Sequence, residues 1–413
     1  MMNSRKSLAW WKEATPDARR ALLAASLGWM LDSFDVTLWA MVLVALMSDL
    51  GLSKPTAGLL GSLTLAASAA GGLIFGLIAD RFGRRRALMA SIVIYSIFTA
   101  ACGLATGVAM LAVFRVCLGL GMGGEWASGA SLVSETWPAE HRGKALGIVQ
   151  SSWAVGYAAA WAFATLALPV WGWRGVFFVG VAPAFFTLWV QKHVREPEIW
   201  RARRGPATGI RSAFGEIFGR KRLRLTVMIT LMNACTMFAW WGFNLWLPTF
   251  LSLAPSQGGI GLGAPMMLAF GILMPAGMWL GYVSFGFISD RLGRRRSYVT
   301  FLVAAAVFML LYARMRQPLV LFALGPFVAF FGTGYFTGFG ALTAEIYPTV
   351  VRATAQGITY NTGRIVSALA PFTVGSLAQT KGFGFSFLLI AVAFLAAALL
   401  WIGIPETKGR ALE

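Results

Sequence analysis

The chain has 413 residues, 58% hydrophobic and 12% charged, with a mean hydropathy of +0.69 and a formal net charge of +19. Soluble domains carry about 25% charged residues, so this composition excludes an ordinary water-soluble domain and leaves lipid as the solvent for much of the surface. The positive charge does not mark nucleic-acid binding, because Lys and Arg cluster between apolar runs.

The N-terminal stretch is basic (Arg5, Lys6, Lys12, Arg19, Arg20), and the first apolar run begins at Ala21. A cleaved signal peptide has a short, uninterrupted apolar core. This run is long and holds Asp32 and Asp35, so a retained first helix is expected. Apolar runs at 21–48, 57–79, 87–106, 109–136, 143–168 and 173–192 precede a basic stretch at 193–222. Six more follow at 223–252, 265–289, 297–313, 318–344, 353–378 and 383–404. These lengths bracket the roughly 20 residues that cross a bilayer as a helix. Seventeen Trp and 47 Gly suit the same class, since Trp sits at membrane interfaces and Gly lets helices approach closely.

Charge placement sets the expected topology. Twenty-eight Lys and Arg fall in the N-terminus, the even-numbered connections and the C-terminus, against five at Lys54, Arg174, Arg314, Arg316 and Lys381. Basic loops stay cytoplasmic, which places both termini inside and favours an even count of twelve. Cys102, Cys117 and Cys235 lie far apart in apolar runs, and His141 and His193 fall in connections. No metal spacing or disulfide framework follows, and no nucleophile–base constellation of an enzyme is present.

The two halves repeat at an offset of 210 residues. Gly76-x-x-x-Asp80-Arg81-x-Gly83-Arg84-Arg85-Arg86 returns as Gly286-x-x-x-Asp290-Arg291-x-Gly293-Arg294-Arg295-Arg296. Glu135, Pro138, Arg142 and Gly147 return as Glu345, Pro348, Arg352 and Gly357. The expected organisation is therefore an all-α membrane protein of twelve transmembrane helices in two pseudo-symmetric six-helix bundles, residues 1–192 and 223–413. A cytoplasmic basic linker, 193–222, joins them and has the character of a surface helix on anionic lipid. Parallel repeats of this kind are associated with alternating access around a midplane site.

The Asp-Arg-x-Gly-Arg-Arg loop between helices two and three, with its echo between helices eight and nine, resembles the signature loop of the major facilitator superfamily. Arg115-x-x-x-Gly119-x-Gly121-x-Gly123-Gly124 resembles that family's fourth-helix motif. Glu135-x-x-Pro138-x-x-x-Arg142-Gly143 and Pro405-Glu406-Thr407-Lys408-Gly409-Arg410 resemble its sugar-porter-like branch. Asp32-Ser33-Phe34-Asp35 is similar to the paired-aspartate motif of bacterial aromatic-acid and sialic-acid proton symporters, with Ser33 where Gly is usual. Gly121-Met-Gly-Gly-Glu125-Trp is similar to the sialate and lactate symporters, and Gly28-Trp-Met-Leu-Asp32 to niacin transporters. The segment Phe238–Asn244 lacks the glutamine-rich signature of sugar porters and the His and Gln pattern of lactate carriers. The resemblance implies the twelve-helix fold and carriage of a small organic anion.

The residues can be read for chemistry as well. The glycine run at 119–124 lies in an apolar helix with no preceding strand and no Gly-Lys-Ser/Thr, so helix packing is expected rather than nucleotide binding. A charge at the bilayer centre costs about 2.5–3.5 kcal/mol, which singles out Asp32, Asp35, Arg115, Glu125 and Arg364. Burial favours a neutral carboxyl and a nearby guanidinium favours the charged one. Asp32, Asp35 and Glu125, with Arg115 as modulator, are therefore the proton-coupling candidates, a static Asp35–Arg115 pair being the alternative. Arg364 suits a substrate carboxylate held by two parallel hydrogen bonds. Tyr360, Asn361, Trp241, Asn244, Gln150 and Trp153 are the expected pocket residues. Asp80, Arg81, Gly83, Arg84, Asp290, Arg291, Gly293, Arg294, Glu135, Arg142, Glu345 and Arg352 form an expected conformational latch that stabilises an outward-open state. The proton is the coupling ion and no cofactor is expected. A monomer in a bacterial inner membrane suffices for this path. A neutral sugar or polyol carrier, a drug exporter and a non-transporting receptor are the competing readings.

Overall fold

The computed structural model describes residues 11, 14–198, 201, 215–220, 222–347 and 351–408, with the backbone alone for Asp80, Ala127, Ala139, Glu140, Ala344 and 352–354. Most of the linker 193–222, Pro348, Gly409 and Arg410 therefore lie outside the described residues, which contain no strand.

Helix ends follow local chemistry. α1 (Pro16–Leu50) starts earlier than its apolar run because Thr15 accepts the Ala18 N–H at 3.1 Å and Pro16 supplies a preset first residue. α2 (Lys54–Phe82) starts likewise on Ser53 and stops at Gly83, which also opens α3 (Arg84–Cys102). Gly83 takes φ 112°, ψ 152° and its repeat partner Gly293 φ 96°, ψ 157°, a region essentially confined to glycine. α4 is Val108–Thr136. The helical run Ala139–Phe178 breaks at Gly172, φ 62°, dividing α5 (139–171) from α6 (173–193). α7 (Leu223–Ser252), α8 (Ala264–Leu292) and α9 (Arg294–Arg314) follow. α10 runs from Pro318–Thr333 through a tight turn, Gly334–Gly338, into Phe339–Ile346. α11 comprises Arg352–Ser367 and Leu369–Thr380, and α12 is Gly382–Leu400.

By length and apolarity ten stretches of the described residues qualify as membrane-crossing. α5 and α6 count there as one run, and the step at Ala368 leaves α11 in two short pieces, which accounts for the difference from twelve. Leu77, Val170, Leu166, Phe287, Leu319 and Ile402 are among the large apolar side chains left exposed, as lipid rather than water requires.

Within the first half, α4 packs against α2 and α3 through its glycine run. A methyl group on Gly123 would stand 1.9 Å from the carbonyl oxygen of Ser68, and one on Gly124 2.3 Å from the Phe75 ring. The run is a helix-packing surface.

The halves meet chiefly through two antiparallel helix pairs, α2 with α11 and α5 with α8, with a smaller contact of α1 with α7. Along the first pair, Gly375 lies on the Lys54 carbonyl, Gly58 on Pro371 and Gly72 beside Asn361. One more helical turn carries Gly76 opposite Gly357, where an added methyl on either meets nothing within 4 Å. The second pair repeats this: Gly271 lies on Trp161, whereas Gly147 and Gly286 meet nothing within 4 Å. The halves are therefore sealed together at the end away from the basic loops and parted at the basic-loop end.

Gly123→Val should lower the thermal midpoint in detergent by overpacking, worth about 1–3 kcal/mol, whereas Gly76→Val should leave it unchanged. Melting curves of the two purified variants check the contrast.

Candidate functional site

Of the five charged side chains of the membrane interior, carried by α1, α4 and α11, all but Asp35 lie toward the interface between the halves. Asp32, Asp35, Arg115, Glu125 and Arg364 are each at most 4% exposed, yet among the described residues none has an opposite charge within 4.0 Å. Both carboxylate oxygens of Asp32, Oε2 of Glu125, and Nε of Arg115 and Arg364 lack hydrogen-bond partners. Arg364 acts electrostatically on both Asp32 and Glu125, so these three form one group across the two halves. Gly28 leaves the space for Glu125, since a methyl there would stand 2.5 Å from Oε1.

The aspartate pair divides. Residues three apart on a helix are turned about 60° from one another, and Asp35 uses that angle to face α3, where Oδ2 accepts from Thr99 Oγ1 at 3.1 Å. Arg115 does not contact Asp35 within 4.0 Å. Its guanidinium lies 4.1 Å from the Trp39 ring centroid, a cation–π contact. There it lines a gap of about 20 Å³ with Thr64, Trp241 and Pro371, room for about one water.

The expected pocket residues fall on both sides of this group. Trp153 lies against Trp29 at 4.6 Å with the rings tilted and meets the edge of Trp241 at 5.9 Å, joining the halves. Asn244 is buried with Oδ1 unpartnered. Gln150 lies near the Tyr282 hydroxyl of α8, across the interface. Tyr360 and Asn361 are half-buried where the halves begin to part, with Arg364 5.7 Å from the Tyr360 ring. Trp29, Trp126, Tyr282, Trp39 and Thr99 were not singled out in the sequence. Trp29 lies three residues before Asp32, but a lone aromatic in an apolar run carries no signal of which neighbour it meets.

At the basic-loop end the ion pairs of Arg84 and Arg294 seen among the described residues join groups of the same half. Arg84 holds Glu135 in a fork, Nη2 at 2.8 Å and Nε at 3.1 and 3.2 Å. Arg294 holds Glu345 the same way and Asp290 at 2.5 Å. Arg81 lies over Phe82, the Arg291 carbonyl accepts from Lys408, and Arg142 is half-buried with Nε unpartnered. The side chains of Asp80 and Arg352 lie outside the described residues.

Two further carboxylates complete this network. Glu196 accepts from the backbone N–H groups of Arg85 and Arg86, and Glu406 from those of Arg294 and Arg295 at 2.8 and 3.1 Å. Each caps a helix N-terminus. The pair shares the 210-residue offset of the loops it braces, a signal the sequence does contain. Burial works against the charge on Glu406, but N–H groups of Lys408, Arg294, Arg295 and Thr407 outweigh it and hold the carboxyl below the usual carboxylate range. Its stabilising effect is therefore full above that range and is lost as pH falls through the depressed value. Glu406→Gln should lower stability at pH 7 by about 1 kcal/mol. The difference from the parent should shrink as melting is repeated toward pH 4.

A family model described as Major Facilitator Superfamily matches residues 23–286 and 273–413. A cis,cis-muconate transport protein of Acinetobacter baylyi (strain ATCC 33305 / BD413 / ADP1) is 33% identical, covering 92% of each chain. The sialic acid transporter NanX of Escherichia coli (strain K12) is 30% identical over 96% of each. The crystal structure of a D-xylose–proton symporter superposes with a TM-score of 0.79 at 21% identity, over 96% of this chain and 100% of that one. With twelve helices in two repeated halves and this match along nearly its whole length, the chain belongs to the Major Facilitator Superfamily and is a membrane transporter rather than an enzyme.

Proposed function

We propose that the protein imports a small organic anion, an aromatic or short-chain monocarboxylate, together with protons by alternating access. The observation that carries this reading is Arg364. It is a buried guanidinium with Nε unpartnered and no carboxylate within 4.0 Å, set where the two halves begin to part. A guanidinium held bare in a membrane interior suits an anionic ligand better than a neutral one. Two relatives, named for muconate and sialic acid, handle organic acids.

The same geometry suggests how anion and proton are linked. Asp32 and Glu125 share Arg364 as their common cation. A substrate carboxylate that occupies the guanidinium removes that compensation, and a buried carboxylate without a counter-charge takes a proton instead. Asp35, held by Thr99, is the sensor behind Asp32, and Arg115 sets its field. Trp241, Trp153, Asn244, Gln150, Tyr360 and Asn361 shape the pocket. The parted basic-loop end and sealed opposite end represent one of the two access states, and Gly76 with Gly357 and Gly147 with Gly286 are the surfaces on which the open end would close. The expected latch acts at that closure. On the positive-inside pattern of the basic loops, this end and both termini are read as cytoplasmic, with the protein in a bacterial inner membrane. A monomer suffices for the path.

Proteoliposome uptake tests the reading. Arg364→Leu should reduce carboxylate uptake at least 100-fold while leaving the fold intact. Uptake by the parent should rise as external pH is lowered, and Asp32→Asn should remove that pH dependence. Gly76→Leu should bind ligand normally and fail to turn over. Survival of anion uptake in Arg364→Leu, or uptake of neutral sugars alone, would move Arg364 to a structural role and favour a sugar carrier.

A further inference from the structure

On the lipid-facing side of the second half, α9 and α12 leave a groove of about 460 Å³. Val299 and Val303 form one wall, Leu395 and Leu399 the other, and Ile402 closes the floor near the basic-loop end, where Arg295 stands at the mouth. Leu399 is 64% and Ile402 72% exposed, so the groove opens to the bilayer and not to the central path. From Arg295 to Val303 the helix rises about 12 Å.

The first half shows what is unusual here. At the 210-residue offset, Arg85 stands for Arg295, and its Nη1 donates to the carbonyls of Val194 at 3.2 Å and Gln191 at 3.4 Å. That bond ties α3 to the end of α6. Arg295 has its backbone N–H held by Glu406, but among the described residues its guanidinium has no partner. The wall residues differ in the same sense. Met89 and Trp189 occupy the positions of Val299 and Leu399, and Trp189 lies stacked on Phe186 and His193. In the first half the equivalent positions carry bulkier side chains, and the Arg85 Nη1 is held by two backbone carbonyls. In the second half the place is vacant of side chains and the arginine is free.

We propose that this groove binds one anionic phospholipid, an acyl chain lying between α9 and α12 and the phosphate on Arg295. The apolar walls match a hydrocarbon chain, and the free guanidinium at the membrane edge matches a phosphate in a fork of hydrogen bonds. Arg291 and Arg296, both exposed beside it, add to the attraction for an anionic headgroup. The site is separate from the central path and does not depend on which substrate that path carries. Because Glu406 holds the backbone of Arg294 and Arg295, a lipid on Arg295 braces the same helix start that the C-terminal segment caps.

Native mass spectrometry of the full chain in detergent, titrated with phosphatidylglycerol or phosphatidylcholine of identical acyl chains, tests this. One phosphatidylglycerol should be retained about tenfold more tightly than phosphatidylcholine. Arg295→Gln and Leu399→Trp, the second restoring the bulk of the first half, should each abolish that preference. Arg295→Lys should keep part of it, and Arg85→Gln should keep all of it. Inorganic phosphate at millimolar concentration should not compete, since the chain carries the affinity. Equal retention of the two lipids, or an unchanged preference in both Arg295→Gln and Leu399→Trp, would overturn the proposal. So would a dimer peak that disappears in Leu399→Trp, because a second copy would then be the occupant.

Discussion

The structure depends on keeping five charges inside a bundle whose outer surface is hydrocarbon. Each costs about 2.5–3.5 kcal/mol to place at the bilayer centre, and among the described residues none is compensated by a close ion pair. Helices α1, α4 and α11 bring Asp32, Glu125 and Arg364 within one another's field, while the Trp29–Trp153–Trp241 chain holds the halves together beside them. A static fold would relieve such a cost by pairing Arg115 with Asp35. Instead Arg115 stacks on Trp39 and Asp35 accepts from Thr99. The charges are left available, which is the condition for a group that exchanges a proton or an anion.

The second constraint is geometric. Two antiparallel pairs, α2 with α11 and α5 with α8, make most of the cross-half contact. Their register is set at the sealed end, where Gly58 meets Pro371 and Gly271 meets Trp161, and it leaves glycines facing each other at the open end. Backbones can come together there with no side chain to displace. Meanwhile the bonds of Arg84 with Glu135 and of Arg294 with Glu345, and the caps from Glu196 and Glu406, stiffen each half internally. Stiff halves joined by glycine-lined seams suit a rigid-body rocking motion.

Much of this was legible in the residues. Hydropathy located the helices, and the 210-residue offset located the two Asp-Arg-x-Gly-Arg-Arg loops whose glycines adopt the same positive-φ, extended conformation. The cost of burying charge singled out the five interior groups. What the chain did not reveal was direction. A three-residue spacing puts Asp32 and Asp35 on nearby faces, yet about 60° suffices to send one to α11 and the other to α3. Nor could the sequence show that Arg115 prefers a ring to a carboxylate, since that choice depends on where α1 sets Trp39. Glu196 and Glu406 lay in plain view at the repeat offset, but their role needs the loop folded back onto a helix start. The apolar run ends at residue 168, but the helix continues to Gly172 before turning.

The central claim is that Arg364 binds an anion and that proton and anion bind together. Thermal-shift measurements on the purified protein with small carboxylates, neutral sugars and amines, at pH 5.5 and 7.5 (about a unit either side of the midpoint of the ordinary physiological range), test it directly, because a ligand of the native state raises its melting point by mass action. The account predicts stabilisation by one carboxylate class, larger at the lower pH and absent in Arg364→Leu. Stabilisation by sugars or amines alone, or by carboxylates equally in Arg364→Leu, would contradict it.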